Sequence, residues 1–517
     1  MNPHTHQFNR TISLSLVFPL FFAATCAFAQ QPQTDTPSSG NASLADSVQE
    51  LRQQVEELRA AVADMKSETE QYRRQNDELR KQLEDLRAGA QKSGSAAVAA
   101  QFGPSPESGA SQQLSGLQET TQIIESQVRT QYQTKVESAS KYRVRLSGLV
   151  LLNLFSNRGA TDNLDFPTYA APSNLYGANS TFGATLRQSE LGLEVFGPQL
   201  AGAKTSGQVQ LDFGGGFPTG ALDGVNTGLV RLRTASARLD WQHTSIIAGQ
   251  DSLFLSPNSP TSFASLVIPS LGYSGNLWAW TPQIRVEHRF DLPDDESITL
   301  AGGILDNVTG DPSFGTHRPP QAGESSGQPA YGLHASWSRN VGGHPLSFGA
   351  SGYYSRQNWG FDWNVDGWAG LADWTIPVGQ RLEISGELYR GRAMGGIGGG
   401  IGQSVIFSGN PQVPGTSFLP LDAVGGWSQL KLIATPRLEF NGAFGLDNPF
   451  GSDIRAFPAP VDYYPAVLAA NRSSMFNFIY RPRSNLLVSG EYRHLHTTEI
   501  GSYNTAGQVN LVMGVLF

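Results

Sequence analysis

The sequence predicts an all-β transmembrane barrel of about sixteen antiparallel strands, carried behind an N-terminal α-helical coiled-coil stalk. Three observations predict it. From Tyr142 onward, apolar and polar residues alternate at period two in segment after segment. About seven short turns alternate with about eight longer connections, a segregation that soluble sandwiches do not keep. The chain closes on QVNLVMGVLF, where Val509, Leu511, Met513, Val515 and Phe517 share one face and Gln508, Asn510 and Gly514 fall on the other with Val512 and Leu516. That last strand is expected to serve as the C-terminal assembly signal read by the barrel-assembly machinery.

The 517 residues are too many for one ordinary domain, and composition changes along them. Arg10 precedes an apolar run from Ile12 to Phe22, and Ala27-Phe28-Ala29 forms a small-residue cleavage site, so residues 1–29 read as an export signal. The single cysteine, Cys26, lies inside it, leaving the mature chain without thiol chemistry. Residues 30–43 are a polar spacer. Over 44–87, Leu44, Leu51, Leu58, Met65, Tyr72, Leu79 and Leu86 form one seam and Val48, Val55, Val62, Thr69, Asn76 and Leu83 the other. Unbroken steps of three and four over about six heptads predict a periplasmic coiled coil. Residues 88–113 form an Ala-, Gly- and Ser-rich linker, 114–140 a short helix, and 141–517 the barrel. No window after the N-terminus is long and apolar enough for a membrane helix, so any crossing is made by strands.

The alternation is visible in Tyr142, Val144 and Leu146 against Arg143, Arg145 and Ser147, and in Leu486, Val488 and Tyr492 against Leu487, Ser489, Glu491 and Arg493. Both chain ends of the barrel fall on the short-turn, periplasmic side. Longer connections are expected at Asp251 to Thr281, Gln357 to Asp366, Arg392 to Gly425 and His496 to Ser502, among others. Trp337, Tyr354, Trp363, Trp368, Trp374, Trp427 and Tyr480 lie near strand ends, as interfacial girdles require. A barrel of this size encloses more space than its own side chains fill.

The connection after the fifth strand, DSLFLSPNSPTSFASLVIPSLGYSGNLWAW, is unusually apolar. Phe254, Phe263, Leu266 and Trp278 are expected to fold into the bore as a constriction loop; packing at a subunit interface is the alternative. Alternation points Arg231, Arg233, Arg285 and Arg289 inward, with Glu287 beside them. From Tyr142 onward about twenty Arg stand against two Lys, and the planar guanidinium fork suits carboxylate and phosphate. Inward Glu383, Glu387, Glu439 and Glu491 leave open a wall of charges that simply pair. Arg187 shares the parity of the apolar Leu191 and Leu193, which places it at an interface or beside a bulge. The glycine-rich GRAMGGIGGGIG at Gly391 to Gly402 lacks a phosphate-loop Lys-Ser or Lys-Thr and reads as a flexible external loop. His494 and His496 share a face without a third ligand, so neither metal nor cofactor is expected, and no nucleophile set suggests an enzyme. The net charge of −8 and the lack of a basic patch exclude nucleic acid as a partner.

RQSELGLEVFGP, QVQLDFGG, VRLRTASARLDW, IIAGQDSLF and PQIRVEHRF, behind a coiled-coil stalk, resemble the DcaP-like trimeric outer-membrane porins. The resemblance covers the stalk and the first half of the barrel. It implies a homotrimer in the outer membrane, with the stalk in the periplasm, passing small anionic solutes such as dicarboxylates. Arg231, Arg233, Arg285 and Arg289 match the basic positions of that motif, whereas Glu190 and Leu191 depart from it. A second reading makes the barrel an anchor and the stalk a tether to the cell wall.

The Val and Leu seams with Asn76 favour a parallel dimer on their own, and attachment to a trimeric barrel would impose three strands instead. A peptide spanning 44–87 is expected to be helical by circular dichroism and to sediment as an oligomer; a monomeric coil contradicts the heptad reading.

Overall fold

The computed structural model describes residues 143–172, 180–216, 228–310, 318–361, 363–409, 413, 415–456 and 468–517. The export signal, heptad stalk, linker and short helix expected from the sequence lie outside the described residues.

The described chain forms β1 (Arg143–Arg158), β2 in two segments (Ser180–Thr185 and Glu190–Leu200), β3 (Ala203–Asp212), β4 (Arg231–Asp240), β5 (Thr244–Ser252), β6 (Trp280–Leu292), β7 (Glu296–Leu305) and β8 (Ala330–Val341). It continues through β9 (His344–Asn358), β10 (Asn364–Val378), β11 (Leu382–Arg392), β12 (Asp422–Thr435), β13 (Leu438–Pro449), β14 (Leu468–Arg483), β15 (Leu486–Glu499) and β16 (Ser502–Leu516). Each strand pairs antiparallel with its neighbour in sequence, and β16 pairs with β1, closing a barrel of sixteen strands. Val150 stands opposite Val515, and the Gly148 and Phe517 backbones exchange hydrogen bonds of 2.9 and 3.0 Å. Closure leaves no open sheet edge, which is what permits a sheet to stand in hydrocarbon.

The burial pattern of β16 is inverted relative to a soluble strand. Gln508 is 0% exposed and Asn510 1%, whereas Val509 is 56% exposed and Val515 44%. The same holds around the wall: Asn153, Asn441 and Asn477 are buried, while Leu333, Phe444 and Phe476 are exposed. Large apolar side chains over an entire outer surface exceed anything a soluble monomer tolerates and match a lipid-facing band. Trp337 stacks on Phe348 near the short-turn ends of β8 and β9, and Tyr331 lies against Tyr354 at their other ends. These pairs occupy the two girdle levels.

Three expectations are corrected. Trp427 points inward and is buried against Leu271, Ala443 and Met475, so it is no girdle residue. The connection placed at His496 to Ser502 is a tight turn at Ile500 and Gly501, with Gly501 at φ +84°. The Gly391–Gly402 run is largely buried, with Met394 and Ile397 in a cluster with Leu277 and Tyr389. Arg187 is explained by a bulge: residues 186–189 of β2 lie opposite Val150, Leu151 and Leu152, one residue more than the ladder needs. The extra residue turns Arg187 inward, where it pairs with Asp165 at 3.1 Å.

Val509→Arg, at the middle of a lipid-facing strand, is expected to destabilise the barrel in phospholipid vesicles by about 2–4 kcal/mol, measured by denaturant unfolding.

Candidate functional site: the barrel lumen

The alternation that turns apolar side chains outward lines the interior with amides, hydroxyls and charges. Some inward positions break the rule. Leu151, Leu371, Tyr353, Leu487 and Val512 are inward, apolar and buried, and each meets something apolar brought from elsewhere. That partner is the 253–279 connection between β5 and β6. Leu253, Phe254, Leu255 and Leu277 pack with Tyr353, Ala369, Leu371 and Tyr389 of β9–β11. Phe263, Ala264 and Leu266 pack on Leu151, Leu487 and Val512 of β1, β15 and β16. Each large side chain so buried is worth about 1.5–3 kcal/mol relative to exposure, which explains why a chain segment this apolar lies within the barrel.

Polar anchors fix the loop's path. The Ser256 hydroxyl and the Asn258 N–H both donate to Glu387 of β11, the second at 2.9 Å. The Thr261 N–H donates to Gln429 of β12 at 2.7 Å, and Ser262 donates to Glu491 of β15. Gln188 of β2 accepts from the Leu266 N–H at 2.7 Å and donates to the Ala264 carbonyl at 2.9 Å. On the return, Asn471 of β14 donates to the Tyr273 carbonyl, and Gly275 comes so close to the Gly426 backbone that a Cβ would collide with it. Trp278 packs edge-on against Tyr273 and Trp280 and takes the Ile397 carbonyl through its backbone N–H. The glycine-rich run is therefore part of the same inward layer.

Arg231, Arg233, Arg285 and Glu287 converge on the inner face of β4 and β6, as their parity predicts. None of the three guanidiniums stands alone. Arg231 holds Asp212 at 3.0 Å through Nε and donates to the Val267 carbonyl at 2.6 Å. Arg233 pairs with Glu190 and lies 3.7 Å from Asp212. Arg285 bridges Asp251 at 2.9 Å and Glu287 at 2.8 Å. The Arg231 and Arg233 guanidiniums each lie 4.7 Å from the Trp280 ring. Arg289 is separate: it sits near the end of β6 that turns into β7, largely exposed, with Asp291 at 2.7 Å. Asp212, Asp251 and Glu190 are the members that sequence reasoning did not pair with these guanidiniums; their inward parity beside the Arg positions was the available signal. A cavity of about 360 Å³ is lined by Gln208, Ser236, Arg238 and Asp251 of β3–β5 and by Glu194 of β2.

A closed antiparallel barrel with an apolar outer band, two aromatic levels and a polar interior crossed by an inward loop defines a porin-type barrel, and this fold indicates an outer-membrane location. Solved structures agree. The chain matches the outer-membrane channel DcaP of Acinetobacter baumannii at 18% identity and a TM-score of 0.54, over 74% of this chain and 100% of that one. It also matches an anion-selective porin from Comamonas acidovorans at 11% identity, 73% and 100% coverage and a TM-score of 0.46. OprB of Pseudomonas putida matches at 12%, over 72% and 94%, with a TM-score of 0.43. No family model and no curated protein matches the sequence. The fold is that of a DcaP-like porin barrel.

Glu387→Ala removes the acceptor of two loop donors and is expected to cost about 1–3 kcal/mol. The readout is new protease cleavage between residues 256 and 262; an equally resistant loop contradicts the anchoring role.

Proposed function

We propose that this protein is an outer-membrane diffusion porin passing small hydrophilic solutes, with no reaction and no cofactor. The single observation that carries the reading is the division of the inner wall. The 253–279 loop packs apolar side chains on β9–β11 and on β15, β16 and β1, whereas the facing wall of β3–β6 keeps guanidiniums, carboxylates and amides. In this reading Phe254, Phe263, Leu266 and Trp278 belong to a constriction loop that narrows the bore, and solute passes along the charged wall.

Arg231, Arg233, Arg285 and Glu287 line that passage, with Arg289 at its periplasmic mouth. Guanidinium forks favour anions, dicarboxylates among them. Their pairing with Asp212, Glu190, Asp251 and Glu287 offsets much of the positive potential, so the preference is weak and its sign depends on which partner is removed.

Assembly as a homotrimer fits two features. The heptad seams precede the barrel, and β3, β4 and β5 have only 10, 10 and 9 residues, against 16 in β14. Gly207, Ala237 and Ala248 pair across that low wall on its outer face, a flat surface suited to a second copy. Val509, Leu511, Met513, Val515 and Phe517 would be the signal read during insertion.

Reversal potentials of the protein in planar bilayers under a salt gradient test the selectivity. Arg233→Ala with Arg285→Ala is expected to shift preference toward cations, and Asp212→Asn toward anions. Unchanged potentials refute the charge assignment, and a barrel that never conducts favours the tether reading.

A further inference from the structure

Charged side chains on the lipid-facing side of the barrel are few and unevenly placed. From β9 to β14 the outward alternate positions carry Arg356, Asp366, Arg390, Arg392, Asp422 and Arg472, all close to the extracellular ends of their strands. Nearer the middle of the same face lie Leu388, Val424, Phe444 and Phe476, all exposed and apolar. A cation on the lipid face costs about 2–4 kcal/mol at the bilayer midplane and about 0–1 near the interface, so this rim marks the level of the outer headgroups.

The rim has four guanidiniums and two carboxylates, and the carboxylates are unevenly used. Asp366 accepts from Arg356 at 2.9 Å and from the Tyr354 hydroxyl at 3.0 Å. Asp422 reaches only Arg390, at 3.5 Å. Arg390 is held in place by the Phe450 ring, 4.2 Å from its guanidinium, and by Trp368 at 5.5 Å. Arg392 and Arg472 form no ion pair among the described residues, and the buried Nε of Arg392 has no hydrogen-bond partner among them. Arg392 stands opposite both Trp368 and Asp422 across its two ladders, and β11 and β14 are three strand spacings apart, on the order of 14 Å.

We infer that this rim binds a phosphorylated, multiply acylated glycolipid of the outer leaflet. One phosphate sits at Arg390 and Arg392, a second anionic group at Arg472, and the acyl chains lie over Leu388, Val424, Phe444 and Phe476. Guanidiniums pair with phosphate oxygens in forked geometry, and the aromatic-braced Arg390, which also donates to the Gly391 carbonyl at 2.9 Å, beside the under-partnered Arg392 is prepared for that. A soluble phosphate would gain nothing from the apolar face below, whereas a lipid satisfies both. These side chains face away from the lumen, so the inference stands apart from the solute reading.

The test uses the full mature protein in mild detergent, titrated with a diphosphorylated outer-leaflet glycolipid or its dephosphorylated form, with bound lipid counted by native mass spectrometry. Wild-type protein is expected to hold the phosphorylated lipid at least tenfold more tightly than the dephosphorylated one. Arg392→Ala with Arg472→Ala is expected to lose about tenfold, Arg392→Lys with Arg472→Lys to keep most of the affinity, and channel conductance to stay unchanged in both. Equal binding of the two lipids by wild-type protein overturns the inference, as does a double Ala variant within twofold of wild type. The wild-type comparison decides the matter even where a variant fails to fold.

Discussion

The pairing of β16 with β1 is the constraint on which the rest of this structure depends. In hydrocarbon an unpaired backbone N–H or C=O has no water to turn to, so a sheet of this size can stand there only if it has no edge. The ladder from Leu149 opposite Leu516 to Arg158 opposite Gly507 supplies that closure. Once the sheet is closed, its two faces see different solvents, and strict alternation along each strand becomes a division between lipid and bore. The exposed Val509 beside the buried Gln508 is that division at one step of one strand.

The interior then has to be organised, because sixteen strands enclose more volume than inward side chains fill. Here the 253–279 loop does so by combining two kinds of contact. Apolar residues such as Leu255 and Ala264 take their place against inward Leu371, Leu151 and Val512, and buried acceptors such as Glu387, Gln429 and Gln188 collect the loop's N–H and hydroxyl donors. A polar bore can hold a largely apolar loop because the wall offers matching apolar patches, and the anchors at intervals set its path. The 159–172 connection is held in similar fashion, with Arg187 on Asp165 and Asn471 on the Thr168 carbonyl.

Much of this was legible in the sequence, and the limits are instructive. Period two showed the strands, and the contrast of short and long connections separated the two ends of the barrel everywhere but at the tight turn of Ile500 and Gly501. The parity of Arg231, Arg233 and Arg285 placed them inward, where they are found. Parity says which way a side chain points and nothing of what comes to meet it, so the carboxylates of Asp212, Asp251 and Glu190 were not matched to their guanidiniums. Inward apolar residues such as Val512 and Leu487 looked like noise in the alternation and are the docking points of the loop. Arg187 broke parity because a bulge adds one residue between Thr185 and Glu190; the parity break hinted at it, and the register with β1 separates a bulge from an interface position. The glycine-rich run failed for a related reason: glycine permits exposed flexibility and close approach alike, and here Gly395 and Gly400 are buried in the loop layer.

The measurement that bears most directly on the account is the accessibility of spin labels placed one at a time from Gln508 to Val515 of the mature chain in phospholipid vesicles. The account predicts that labels at 509, 511, 513 and 515 collide with dissolved oxygen from the lipid while those at 508, 510, 512 and 514 are shielded from it. Equal accessibility along the strand, or a chain that stays monodisperse in water without detergent or lipid, would contradict it.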